Sequence, residues 1–239
     1  MFSAIKPSAV HKRVIQIVKT QYYTATSLDG YLATEDDSLD WLFPLGELNS
    51  SSYPEFISGV GALAMGSATY EWMVRHADQV AKETGAPWPY WQPAWIFTSR
   101  KLPTINGANI RFVNGDVGKV HHDMREPAND KNIWIVGGGD LAGQFYDAGL
   151  LDEIIVQIGS ATLGKGKPLF PRRVLSPTLQ LSSVRQMGTG MAELRYTVTR
   201  SRNRSARIDS EPDNETANAN GARIGAQTST RSPEYSVNI

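Results

Sequence analysis

Cysteine is absent from this 239-residue chain, so neither a disulfide framework nor a thiolate metal site is open to it, and a reducing, cytoplasmic setting suits it. An excess of one charge is lacking too. The 24 Lys and Arg are balanced by 24 Asp and Glu, which leaves no electrostatic footprint for nucleic acid or an anionic membrane. No apolar run is long enough to span a bilayer. Histidine is scarce, and the four, His11, His76, His121 and His122, show none of the i, i+4 spacing that seats a zinc ion. No metal is expected.

What remains is a chain with 41% apolar residues in which β-branched runs alternate with helical patterns. That alternation predicts one α/β domain over 13–200 with a substantial core. Residues 1–12 form an extension that carries Lys6 and Lys12 and no acid. From Ser201 onward the composition turns to Asn, Ser, Thr, Arg and Gly with few apolar side chains. Such a tail buries too little to offset its ordering entropy and is expected to be disordered.

The chain is organised around residues 132–149, NIWIVGGGDLAGQFYDAG. Ile133, Trp134, Ile135 and Val136 read as a buried strand. Gly137, Gly138 and Gly139 follow at once; Asp140 is placed as a helix N-cap, and Leu141, Ala142, Phe145 and Tyr146 recur at helical spacing. A strand that runs through three glycines into a helix lets a ligand approach the backbone beside unpaired N–H groups. That arrangement suits phosphate. A tight turn without a ligand explains the same three residues equally well.

A second junction has the same form. Ala62 to Met65 is a brief apolar strand, and Gly66, Ser67, Ala68 and Thr69 open a helix that Ser67 or Thr69 would cap. Two such junctions in one sheet favour a phosphate-bearing ligand more than either alone. Ala94 to Phe97 is a strand ending in Thr98, Ser99 and Arg100, and Arg100 there is either a phosphate fork or a solvated surface charge. The first strand, Val14 to Thr26, ends in Ser27-Leu28-Asp29-Gly30, where Asp29 is a turn former or a ligand contact. Thr34 to Ser52 reads as a functional loop in which Trp41 stacks on a flat ligand or anchors the loop to the core. His76 to Pro93, dense in proline and aromatics, is expected to be a covering loop. A helix over Val117 to Arg125 should stop at Pro127. Leu179 to Val184 and Met191 to Val198 should pair antiparallel at the sheet edge.

Two nucleotide motifs are refused. Gly159 to Lys165 fits G-x-x-x-x-G-K, yet Gly166 occupies the magnesium-binding Ser/Thr position, and Pro168 and Pro171 forbid the helix. The spacing Gly137, Gly139, Gly143 is one residue too long for the Rossmann fingerprint, and Asp152 and Glu153 begin the next strand where that fold wants an acid at its end.

Taken together, Tyr23-Thr24-Ala25-Thr26-Ser27-Leu28-Asp29-Gly30-Tyr31, Met65-Gly66-Ser67-Ala68-Thr69-Tyr70-Glu71, Phe97-Thr98-Ser99-Arg100, Ile135-Val136-Gly137-Gly138-Gly139 and Leu163-Gly164-Lys165-Gly166 with Pro168-Leu169-Phe170 resemble the dihydrofolate reductase-like superfamily. The nearest type is the reductase domain of bacterial riboflavin biosynthesis and its stand-alone relatives. The resemblance implies a mostly parallel sheet of about eight strands flanked by helices, with an antiparallel C-terminal edge. It implies NADPH held by Val136, Gly137, Gly138, Gly139, Asp140 and Leu141 on one side, by Gly66, Ser67 and Thr69 on the other, and by Ser99 and Arg100 at the 2′-phosphate. Ser67 stands where dihydrofolate reductases usually have arginine, which leaves more of the charge recognition to Arg100. Substrate would lie near Asp29, the candidate catalytic residue, with Trp41, Leu163 and Gly164 in contact. The implied activity is hydride transfer to a C=N or C=O bond of a small heterocyclic or sugar-derived molecule, in a homodimer. Dihydrofolate reduction and an inactive nucleotide-binding or oligomeric module are the alternatives. The zinc deaminase half of the full riboflavin enzyme is excluded, because the chain has neither cysteine nor an H-x-E motif.

Overall fold

The computed structural model describes residues 18–45 and 52–199; the N-terminal extension, the start of the expected first strand and the C-terminal tail lie outside them. In chain order the strands and helices are β1 (Thr20–Ser27), β2 (Tyr31–Ala33), α1 (Tyr53–Ser58), β3 (Val60–Gly66), α2 (Ser67–Arg75), α3 (Ala77–Thr84), β4 (Ala94–Phe97), β5 (Ile110–Val113), α4 (Val117–Ala128), β6 (Asn132–Gly137), α5 (Gly139–Asp147), β7 (Glu153–Gly159), β8 (Lys167–Pro168), β9 (Leu179–Met187) and β10 (Met191–Val198).

Eight strands form one sheet in the order β5-β4-β3-β6-β1-β7-β10-β9. The first six are parallel to one another, while β10 and β9 run antiparallel at the C-terminal edge. The expected fold class is borne out. Strands covered on both faces should be apolar throughout, and β3 and, beyond Asn132, β6 are. Alternation divides each between two cores. Ala62, Ala64, Ile133 and Ile135 meet Met124 of α4 and Phe145 of α5, and Leu63, Met65 and Trp134 meet Phe56 of α1 and Tyr70 of α2. Each fully buried side chain such as Leu63, Ile135 or Phe145 contributes about 2 kcal/mol.

Local differences from the sequence reading have local causes. The expected covering loop after His76 contains α3, because its first half, ADQVAKET, is built of good helix formers; only the proline-rich remainder is irregular. Helix α4 runs through Pro127 to Ala128. A proline in the final turn forfeits a single backbone bond there, and the helix ends where Asn129 turns left-handed at φ 50°. Strands β2 and β8, absent from the sequence reading, form a separate two-stranded ladder that pairs Tyr31 with Pro168 and Ala33 with Lys167. This ladder ties the loop after β1 to the loop after β7.

Candidate functional site

The carboxyl ends of β3, β4 and β6 finish at one level. Gly66 pairs with Phe97, and Met65 with Gly137. Helices α2 and α5 start immediately beyond β3 and β6, so their N-termini emerge side by side. In both, the N-cap is a glycine, Gly66 and Gly138, and no side chain caps the helix. Asp140 is therefore not the N-cap expected from the sequence. It lies in the first turn of α5, accepting from Gln144 at 2.8 Å and from Arg172 at 3.1 Å, and these donors hold its carboxyl below the usual range. Ser67 does not cap α2 either; it is that helix's first residue.

The three glycines differ in what demands them. A Cβ on Gly137 would stand 2.9 Å from Thr69 Oγ1, and one on Gly139 would stand 2.5 Å from the Pro168 carbonyl oxygen. Both are fixed by packing. Gly138 has nothing within 4 Å of its Cβ position and an extended backbone, φ −89° and ψ −179°, so neither crowding nor a left-handed conformation calls for glycine there. It borders open space. The Gly137–Gly138 peptide bond is cis. Gly143 lies under Arg172, whose Cζ would be 2.6 Å from a Cβ at that position. The fourth glycine of the run thus serves packing against a side chain that also pairs with Asp140 and Asp147.

In front of Gly138 is a cleft of about 390 Å³. Its floor is Thr24 and Ala25 of β1, one wall is Ala68, Thr69 and Trp72 of α2, and the other is Val136 to Asp140. Leu32, Ala33, Leu39 and Leu42 close over it with Lys167, Pro168 and Pro171, and Asp37 stands at the rim. The Lys167 ammonium, which pairs with Asp37 at 3.5 Å, the Asp37 and Asp140 carboxylates and the Thr24 and Thr69 hydroxyls are its polar side-chain groups; the other lining side chains are apolar, which suits a flat ring system. A smaller polar hollow of about 220 Å³, lined in part by Asp36, Asp40, Arg75 and His76, adjoins it and shares Asp37, Leu39 and Trp72 with it.

Of the expected site residues, Thr69, Val136, Gly137, Gly138, Gly139 and Asp140 line this cleft. Gly66 and Ser67 stand behind it at the start of α2, and Leu141 is buried in the core. Asp29, Trp41, Leu163, Gly164, Ser99 and Arg100 are not among its lining residues. Asp29 accepts from the amides of Leu163 at 3.1 Å and Gly164 at 2.7 Å and from Ser27 Oγ at 2.6 Å. These donors, the Ser27 hydroxyl foremost, hold the carboxyl below its usual range. The Trp41 indole donates to the Leu32 carbonyl at 3.3 Å and lies against Gly159, the anchoring alternative of the two read from the sequence; its neighbours Leu39 and Leu42 face the cleft instead. Arg100 makes a bidentate pair with Glu71 of α2 at 2.7 and 2.9 Å.

Sequence reasoning missed Trp72 and Lys167. Trp72 falls three residues after Thr69, one turn along the same helix face, and that spacing was the available signal. Also unforeseen is a buried polar cluster beneath α1. Glu193 of β10 accepts from Ser52, from Gln157 at 3.1 Å and from Arg195 at 2.9 Å, and Gln157 donates to Tyr23. Burial alone would push the Glu193 carboxyl up; the three donors outweigh it and hold the carboxyl below its usual range. Glu55, the acid of the short helix after the loop, is exposed and not among the cleft residues. Among the described residues no cluster of His, Cys, Asp and Glu could hold a metal ion, and no helix is long and apolar enough to cross a membrane.

The parallel sheet with an antiparallel edge, its cleft at the carboxyl strand ends and the two helix N-termini beside it make up a dihydrofolate reductase-like fold. The chain matches the model of the RibD C-terminal domain over residues 91–192. It is 29% identical over 179 residues to the uncharacterized protein YwjB of Bacillus subtilis (strain 168), a match covering 74% of this chain and 97% of that protein. The crystal structure of a putative riboflavin biosynthesis protein from Shewanella sp. PV-4 superposes with a TM-score of 0.65 at 23% identity, covering 77% of this chain and 100% of that one. Dihydrofolate reductase from Enterococcus faecalis, complexed with NADP(H), superposes with a TM-score of 0.50 at 14% identity, covering 76% and 97%.

Proposed function

We propose that this chain is an NADPH-dependent reductase acting on a C=N or C=O bond of a small heterocyclic or sugar-derived substrate. The observation that carries the reading is Gly138. It is the one glycine of the three with open space before it, and it lies between two helix N-termini that no side chain caps. A backbone held clear of side chains beside free N–H groups fits a pyrophosphate, and the residues present therefore fit the cofactor.

When bound, NADPH supplies the hydride. The chain's own contribution is to bind, orient and exclude water. The first amides of α2 and α5 receive the phosphates. Thr24 and Ala25 form the floor against which flat rings lie, and Leu32, Leu39, Leu42 and Trp72 keep water from it. Asp29 acts as a positioning residue: its ionised carboxylate fixes the Leu163–Gly164 loop, and through the β2–β8 ladder that loop sets the place of Lys167. The exposed position of Glu55 argues against folate as substrate, since no carboxylate of α1 reaches the cleft.

The test is titration of the purified protein with NADPH, following tryptophan fluorescence, and then a screen of pyrimidine and sugar-derived C=N and C=O compounds for NADPH oxidation. Micromolar binding with turnover of one of them supports the proposal. Binding without turnover of any compound would reassign the chain as a nucleotide-binding module, and absence of binding would remove the cofactor.

A further inference from the structure

The Arg100–Glu71 pair lies just beyond the carboxyl end of β4, where a bound dinucleotide would meet a guanidinium. Phosphates seated between α2 and α5 rest over β3 and β6, and the next strand outward is β4, whose last residue, Phe97, is level with Gly66. Adjacent parallel strands are about 4.8 Å apart, so one strand spacing separates the pyrophosphate position from the β4 end. That is the reach of the adenosine ribose. Arg100 follows β4 directly, its amide tied back to Thr98 Oγ1 at 3.0 Å.

The guanidinium is already committed. Both of its terminal nitrogens are on the two oxygens of Glu71, one turn into α2. The Arg100 side chain is 56% exposed and that of Glu71 28%. A pair so open to solvent is weakly held, and a phosphomonoester, with a charge approaching −2 and three acceptor oxygens, can displace its carboxylate. An unphosphorylated ribose brings no charge to do so, and its hydroxyls can donate to Glu71 as the pair stands.

We infer that Glu71 is a specificity-determining residue, setting the preference between phosphorylated and unphosphorylated nicotinamide dinucleotides by occupying the Arg100 fork that a 2′-phosphate must win. The inference rests on the cofactor reading above. With Glu71 in place, the preference for NADPH over NADH is held down, because part of the gain from the 2′-phosphate is offset by the broken ion pair and by repulsion from the freed carboxylate. Without it, the fork is free for phosphate.

The experiment compares wild type, Glu71→Gln, Arg100→Ala and the double variant. Dissociation constants for NADPH and for NADH are measured by tryptophan quenching, and thermal melts establish that each variant is folded. Glu71→Gln should raise the NADPH-to-NADH affinity ratio about tenfold, mainly by tightening NADPH, and in the Arg100→Ala background the same substitution should leave the ratio unchanged. An unaltered ratio in Glu71→Gln overturns the inference while the cofactor reading stands. An equal gain with and without Arg100 also overturns it, since Glu71 would then act by general repulsion. If neither nucleotide binds wild type or any variant, the cofactor reading and this inference fall together.

Discussion

Thr69 and Gly137 are in contact across the sheet end: a methyl group on Gly137 would stand 2.9 Å from the Thr69 hydroxyl oxygen, whereas the same methyl on Gly138 would meet nothing within 4 Å. Neighbouring glycines of one triplet are therefore under different constraints, and substitutions should separate them. Gly137→Ala is expected to cost about 1 to 3 kcal/mol of stability through overpacking. Gly138→Ala should shift the melting temperature little and weaken NADPH binding about tenfold or more, because the methyl occupies the space in which a phosphate would rest. Calorimetry and fluorescence titration on the pair check both halves.

Asp29 supports a different prediction. With its carboxylate accepting from Leu163, Gly164 and Ser27, its effect is mechanical. Asp29→Asn puts an N–H against one of the two amides, and hydrogen exchange at Leu163 and Gly164 should accelerate about tenfold or more by local opening. The pH profile of any turnover should keep its shape in the variant. Disappearance of a limb of the profile would make Asp29 a proton carrier instead.

Trp72 lines the cleft and Trp41 does not. Fluorescence quenching by nucleotide should therefore be largely lost in Trp72→Phe and retained in Trp41→Phe. The latter variant should be more susceptible to proteolysis between Leu39 and Leu42, since its indole ties that segment to Leu32. Limited digestion beside the titration distinguishes the two roles.

The Glu193 cluster gives an acid-side prediction. A carboxyl depressed in the folded state adds stability that is fully present above its unfolded value, ordinarily 4.5, and is lost as pH falls through the lower folded value. Glu193→Gln should destabilise the protein at neutral pH by about 3 kcal/mol, since Ser52, Gln157 and Arg195 lose an ionised partner. The gap between wild type and variant should narrow as pH drops below about 4.5. Denaturant midpoints measured at neutral and acid pH report it.

The sheet and the two glycine junctions were legible in the sequence because both are written in short, contiguous signals. The runs IWIV and ALAM are strands by composition, and each leads straight into a glycine junction. The rest of the cleft and the buried Glu193 cluster were not legible, because both are assembled by non-local pairing. Lys167 reaches the rim only through the ladder of β8 with β2, and Glu193 meets Ser52 across 141 positions. Asp140 was misassigned as a cap because the helix already starts at Gly139, with Gly138 at the capping position, and its carboxylate instead accepts from Gln144 one turn on and from Arg172. Pro127 misled because proline is prohibitive in a helix interior and tolerable in a final turn, and sequence alone does not say which turn is final.

The central position of β1 bears on how the chain is made. Its partners begin at Ile133 on one side and Glu153 on the other, so β1 acquires neither neighbour until more than a hundred further residues have been made. At about 5 to 20 residues per second, β1 waits roughly ten seconds on the ribosome before either neighbour exists. During that interval its Tyr22 and Tyr23 have no sheet to enter. The sheet therefore closes around β1 through contacts of long sequence separation, the kind of topology that folds slowly.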